Sequence, residues 1–109
     1  MNQILNGTKE LLGIPLEVTD FDNQLVNHIN HSLRTLKQLG VDVNQITLLE
    51  GDFDDIMCGE DDLHATLQIY VSMKVRLLFD PPTSSFVLAS LEAQIKELEW
   101  RLTDYESEE

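Results

Sequence analysis

Basic residues are scarce in this chain. Seven lysines and arginines face twenty acids in 109 residues, for a formal charge of -13 and a pI near 4.3. So few cations leave no surface that holds a phosphate backbone or an anionic lipid by net charge, which excludes unaided nucleic-acid binding. Cysteine is nearly missing as well. Cys58 stands alone and forms no internal disulfide, so stability must come from packing, and the chain suits a reducing, cytosolic compartment. Long apolar runs are absent: the longest is Phe86 to Ala89, and Met1 to Gly7 has neither the basic nor the apolar region of a signal peptide. No membrane partner is expected. There is no internal repeat and no low-complexity linker, only one acid-rich stretch in the middle and another at the C-terminus.

What remains is enough for one core. An apolar fraction of 42% and a charged fraction of 25% sit near globular averages, and the length fits a single domain over residues 1–109. The spacing predicts an all-α fold, a small bundle of about four helices. Asn2 to Leu12 places Ile4, Leu5, Thr8, Leu11 and Leu12 on one stripe, stopped by Gly13 and Pro15 and weakened by Gly7. Phe21, Leu25, Ile29, Leu33, Leu36 and Leu39 mark a second helix, with Thr19 or Asp20 as N-cap and Gly40 as its stop. Between Val41 and Asp62 the pattern breaks into a long acidic loop, with a short strand expected at Ile46 to Leu49 and a single helical turn at Asp52 to Met57.

From Leu67 to Phe79 apolar and polar residues alternate, which taken alone reads as a strand. A strand that long would be about twice the usual length and would lack a partner for its backbone groups, so helix is expected over Leu63 to Phe79. Apolar around most of its circumference, it should be the central helix. Asp80-Pro81-Pro82 ends it, and Thr83, Ser84 or Ser85 caps the last helix. There Leu88, Leu91, Ile95, Leu98, Leu102 and Tyr105 form a seam, flanked by Glu92 with Lys96 and Glu97 with Arg101. The tail from Thr103 to Glu109 places acids at a helix C-terminus, where the macrodipole disfavours them, and is expected to fray.

Side chains for chemistry are few. His28, His31, His64 and Cys58 are four potential zinc ligands, but only one closely spaced pair exists, and ordinary surface histidines are the expectation. Glu50, Asp52, Asp54, Asp55, Glu60, Asp61 and Asp62 lie between two helices as a calcium loop would. Read from Asp52, however, the loop has Ile56 at position 5, Met57 where the turn glycine belongs and Leu63 at position 12, so a solvated acidic loop is expected. No nucleophile elbow, phosphate-binding glycine loop or zinc-protease motif occurs, so neither enzyme activity nor a cofactor is expected. Lys74 and Arg76 are basic residues inside the most apolar helix, placed to snorkel or to meet a neighbour's carboxylates, and Trp100 lies off the last seam, where core packing is its default and an interface anchor the alternative. These three are the candidate subunit interface.

The stretch Tyr70-Val71-Ser72-Met73-Lys74-Val75-Arg76-Leu77-Leu78-Phe79-Asp80-Pro81-Pro82-Thr83-Ser84-Ser85-Phe86, followed by Gln94 to Arg101, resembles the small head-tail connector proteins of tailed bacteriophages. Glu10 to Ile14, Val18 to Asp22 and Leu36 to Val41 extend the resemblance over most of the chain. The resemblance implies a structural virion protein, assembled in the host cytoplasm. It would form a ring, expected to be a dodecamer, beneath the portal protein, completing the DNA-filled head and giving a platform to the next neck or tail protein. The acidic stretch Gly51 to Asp62 departs from the family, and Asp52, Asp54, Asp55, Glu60, Asp61 and Asp62 are candidates for channel or loop contacts. Thr103, Asp104, Tyr105 and Glu106 are candidates for docking on the portal. An acidic lumen lets DNA pass without gripping it. The rival reading is an acidic helical DNA mimic that occupies a basic groove of a nucleic-acid enzyme.

Overall fold

The helical accounting holds for the contested segment. The computed structural model describes residues 2–57, 59 and 61–107, with helices α1 (Gln3–Leu12), α2 (Asp22–Gln38), α3 (Phe53–Ile56), α4 (Asp61–Phe79) and α5 (Ser85–Ser107) and no strand among the described residues. Helix α4 runs through the middle and packs against α1, α2 and α5. Its buried face follows helical steps, not the alternation: Leu67, Tyr70, Val71 and Val75 are fully buried, while Ile69 from the alternating apolar set is exposed and Tyr70 from the polar set is not. Leu25, Ile29, Leu33 and Leu36 of α2, Ile4 and Leu5 of α1, and Leu91, Ile95 and Leu102 of α5 pack around it, joined by Val41, Val43, Ile46, Ile56 and Met57 from the segment between α2 and α4.

Both of the first two helices end on a left-handed glycine. Gly13 (φ 77°) and Gly40 (φ 100°) each donate back into the last turn. The following Ile14 and Val41 N–H groups reach the carbonyls of Lys9 and Leu36, so the stops expected at these glycines are Schellman motifs. Ser84 caps α5 through its hydroxyl, which accepts from Val87 N–H at 3.4 Å.

The start of α2 differs from expectation. Its N-cap is Phe21, with no side-chain cap, rather than Thr19 or Asp20. The reason is Lys9, an α1 side chain only 2% exposed, whose ammonium donates to the carbonyls of Leu16 (3.0 Å) and Val18 (2.6 Å) and to the Asp22 carboxylate (2.9 Å). Asp22 thereby enters the first turn of α2, where its charge also complements the macrodipole.

The strand expected at Ile46 to Leu49 is a second correction. The Ile46 N–H donates to Asn30 Oδ1 (2.8 Å) and the Ile46 carbonyl accepts from Asn30 Nδ2 (2.9 Å), so one α2 amide does for this backbone what a neighbouring strand would do. The chain then turns. Thr47 N–H donates to the Glu50 carbonyl, and Glu50 N–H to Thr47 Oγ1. Asn2 holds the turn from α1: its Nδ2 donates to the carbonyls of Thr47 (2.9 Å) and Leu48 (3.0 Å), while its Oδ1 caps α1 at Leu5 N–H. The single turn expected at Asp52 to Met57 is α3.

Gly7 in mid-α1 has a packing reason. The Gln68 carboxamide lies where a Cβ at Gly7 would project, and its Nε2 reaches the Ile4 carbonyl, Thr8 Oγ1 and Ser72 Oγ, tying α1 to α4.

Tyr70 ties α4 to α5. Its hydroxyl donates to Glu99 Oε2 at 2.8 Å, and burial, reinforced by the hydrogen bond to and charge of Glu99, pushes its pKa far above the ordinary tyrosine value. A folded pKa raised above the unfolded one gives a contribution that is complete below about pH 10 and is lost as pH rises, because the unfolded tyrosine ionises first. The expected result is an alkaline fall in the urea midpoint between about pH 9 and pH 11 that is shallower in Tyr70→Phe. Equal slopes in the two proteins would refute the assignment.

Candidate functional site

An apolar groove of about 330 Å³ lies between the end of α1, the second half of α4 and the start of α5. Leu11, Leu12, Ile69, Met73, Val87 and Leu91 line it, with Arg76 among the lining residues. It exists because α4 carries apolar residues on more sides than α1, α2 and α5 cover: Ile69 and Met73 face the gap that α1 and α5 leave open. Phe86, which precedes Val87 on α5, is 83% exposed.

The candidate interface residues are not brought together. Lys74 and Arg76 are two positions apart on one helix, which turns their side chains about 200° from each other. Arg76 is exposed and also lines a shallow depression with Glu10 and Asp80, while Lys74 is half-buried and takes no part in the groove. Among the described residues neither base forms an ion pair, and Lys9 with Asp22 and Arg101 with Glu97 are the pairs that close. Trp100 stands outside the groove on α5 and is 64% exposed, so the core packing expected by default does not hold, because its off-seam position turns it away from α4.

The acidic stretch is not a free loop. Asp52 precedes α3, Asp54 and Asp55 are exposed on it, and Asp61 and Asp62 are exposed in the first turn of α4, where the helix dipole favours their charge. Side chains from four places fasten the stretch. Gln3 Oε1 accepts from Phe53 N–H, Asn44 Nδ2 donates to the Asp55 carbonyl, the Phe53 ring stacks on His64 at 5.3 Å, and His64 Nε2 lies 2.9 Å from the Met57 carbonyl. Glu60 and Cys58 lie outside the described residues. His64 is thus engaged in packing, His28 and His31 lie on α2, and no three His, Cys, Asp or Glu side chains converge as a metal set among the described residues.

Thr103 is half-buried on α5, and Asp104, Tyr105 and Glu106 follow it along the same helix, which runs to Ser107, while Glu108 and Glu109 lie outside the described residues. No helix is long and apolar enough to cross a membrane among the described residues.

Sequence reasoning missed Lys9, Gln68, Tyr70 and Asn30 as buried or bridging groups. For Lys9 a signal existed: it lies one turn from Leu5 on the apolar face of α1, where an exposed base would not be placed.

The chain matches the family described as Phage connector protein over residues 4–109. Comparison with curated proteins and with solved structures gives no match.

Proposed function

The chain belongs to the phage connector protein family, a structural family of the head-tail junction, and from that premise we propose that it forms a ring beneath the portal. The family match over nearly the whole chain carries this reading. In the proposal the ring is a dodecamer on the axis of the portal, it completes the DNA-filled head, and the next neck or tail protein docks on it. Assembly takes place in the host cytoplasm. DNA passes through an acidic lumen without being held, which a charge of -13 supports because such a surface repels phosphate. Thr103 to Glu106 dock on the portal, and Asp52 to Asp62 supply acidic contacts along the channel or to the next protein. The DNA-mimic reading receives no support from the family match.

Sedimentation across a salt series, with and without purified portal protein, tests the proposal. Neighbouring subunits of charge -13 repel one another, and the screening length falls from about 30 Å at 10 mM salt to about 8 Å at physiological strength. Monomers are expected at low salt, with rings as salt, concentration or portal is raised. Absence of rings under every condition, portal included, would overturn the ring reading.

A further inference from the structure

Two features at opposite ends of α1 each set apolar side chains beside a charge, and the two charges are of opposite sign. At its start, the Thr47 to Glu50 turn is held by Asn2 and by its own Thr47 hydroxyl, and it presents Leu48 and Leu49, 43% and 79% exposed, beside the exposed Glu50. A leucine pair fixed in water by four hydrogen bonds loses little freedom when a partner covers it, so the turn is preorganised for docking. At the other end of α1 lies the groove of about 330 Å³, roughly twice the ~150 Å³ that admits a benzene-sized apolar group, with Arg76 among its lining residues.

Ten residues of α1 separate the two by roughly 15 Å, so the turn cannot fill the groove of its own subunit. We propose that the Leu48-Leu49-Glu50 turn of one copy docks in the α1/α4/α5 groove of the next, with Leu49 between Leu11, Ile69 and Val87, and Glu50 on Arg76. Such a contact is heterologous, pairing one surface with a different one, and heterologous contacts propagate around a ring. Charge complementarity selects this occupant. On a surface of charge -13, Arg76 is an exposed base that closes no ion pair among the described residues and lines an apolar groove, and the turn offers leucines together with a carboxylate. The inference rests on the ring reading and names the segment and groove that would join its subunits.

A charge swap tests it in full-length protein at physiological salt, by sedimentation with and without portal protein. Glu50→Arg and Arg76→Glu should each weaken self-association at least about tenfold, and the double variant, which restores the net charge, should recover wild-type assembly. Leu49→Asp should abolish assembly. All three positions are exposed, and circular dichroism of each variant checks that helical content is kept. The sign for Glu50→Arg is decisive: it removes negative charge, so general repulsion alone would make assembly stronger, whereas loss of this contact makes it weaker. Assembly strengthened by Glu50→Arg, or singles not rescued by the double, would overturn the contact and leave the ring reading standing. Variants that assemble normally but lose portal binding on Arg76→Glu would give the groove to the portal and overturn it too. Wild-type protein that never assembles, even with portal, would remove the ring reading and this contact together.

Discussion

Replacing Lys9 with methionine is expected to destabilise the subunit by about 3–5 kcal/mol, although the substitute is apolar and of similar length. The ammonium is almost wholly buried and satisfies three acceptors at once: the Leu16 and Val18 carbonyls and the Asp22 carboxylate. Methionine removes all three hydrogen bonds and leaves a largely covered carboxylate, 18% exposed, without its counter-ion. At about 4–8 °C per kcal/mol for a domain near this size, Tm should fall by roughly 12 °C or more. The double variant Lys9→Met with Asp22→Leu should recover part of the loss, since removing both charges is far less costly than stranding one. A drop below about 1 kcal/mol on Lys9→Met would mean that water replaces the ammonium and that the α1–α2 connection is not built on it.

Asn30→Leu should come second, at about 2–4 kcal/mol, because one side chain satisfies both the N–H and the carbonyl of buried Ile46. Its effect should be local as well as global. Amide exchange should quicken at Ile46 and through the segment to Met57, while α2 and α4 keep their protection apart from the overall loss. Asn30→Asp retains an acceptor for the Ile46 N–H but sets a carboxylate against the Ile46 carbonyl, so it should lie between wild type and leucine. Uniform loss of protection over the whole chain, with no excess in this segment, would show that the bridge does not hold it separately.

Helix content and order were legible because they rest on spacing: the steps of three and four in α2 and α5, the glycine stops at Gly13 and Gly40, and the proline pair after Asp80. The α4 segment was legible only through hydrogen-bond accounting, since Gln68, Tyr70 and Ser72 occupy the polar positions of a strand-like alternation. Those three serve the bundle instead, toward Ile4 and Thr8 of α1 and Glu99 of α5. The long-range polar bridges were not legible. Asn30 and Ile46 are sixteen residues apart, Asn2 and Thr47 forty-five, and no local pattern marks an amide that will meet a distant backbone. The strand reading failed for that reason, because it counted only the partners that strands provide. The groove was out of reach as well: apolar residues on three helices can be read from spacing, but a gap between them depends on how far α1 and α5 part over α4.

Trp100 gives the molecule an optical property that follows from its position. It is the single tryptophan and its indole already stands in water in the folded subunit. Unfolding therefore changes its surroundings little, whereas any neighbour that covers this part of α5 dries the ring and moves its emission to the blue. In a protein whose apparent stability depends on subunit concentration, melting and association are usually entangled in one signal. A partner that covers this face would be read by the indole while the far-ultraviolet band of the helices follows melting, so a fluorescence titration tests for association here without reading the fold.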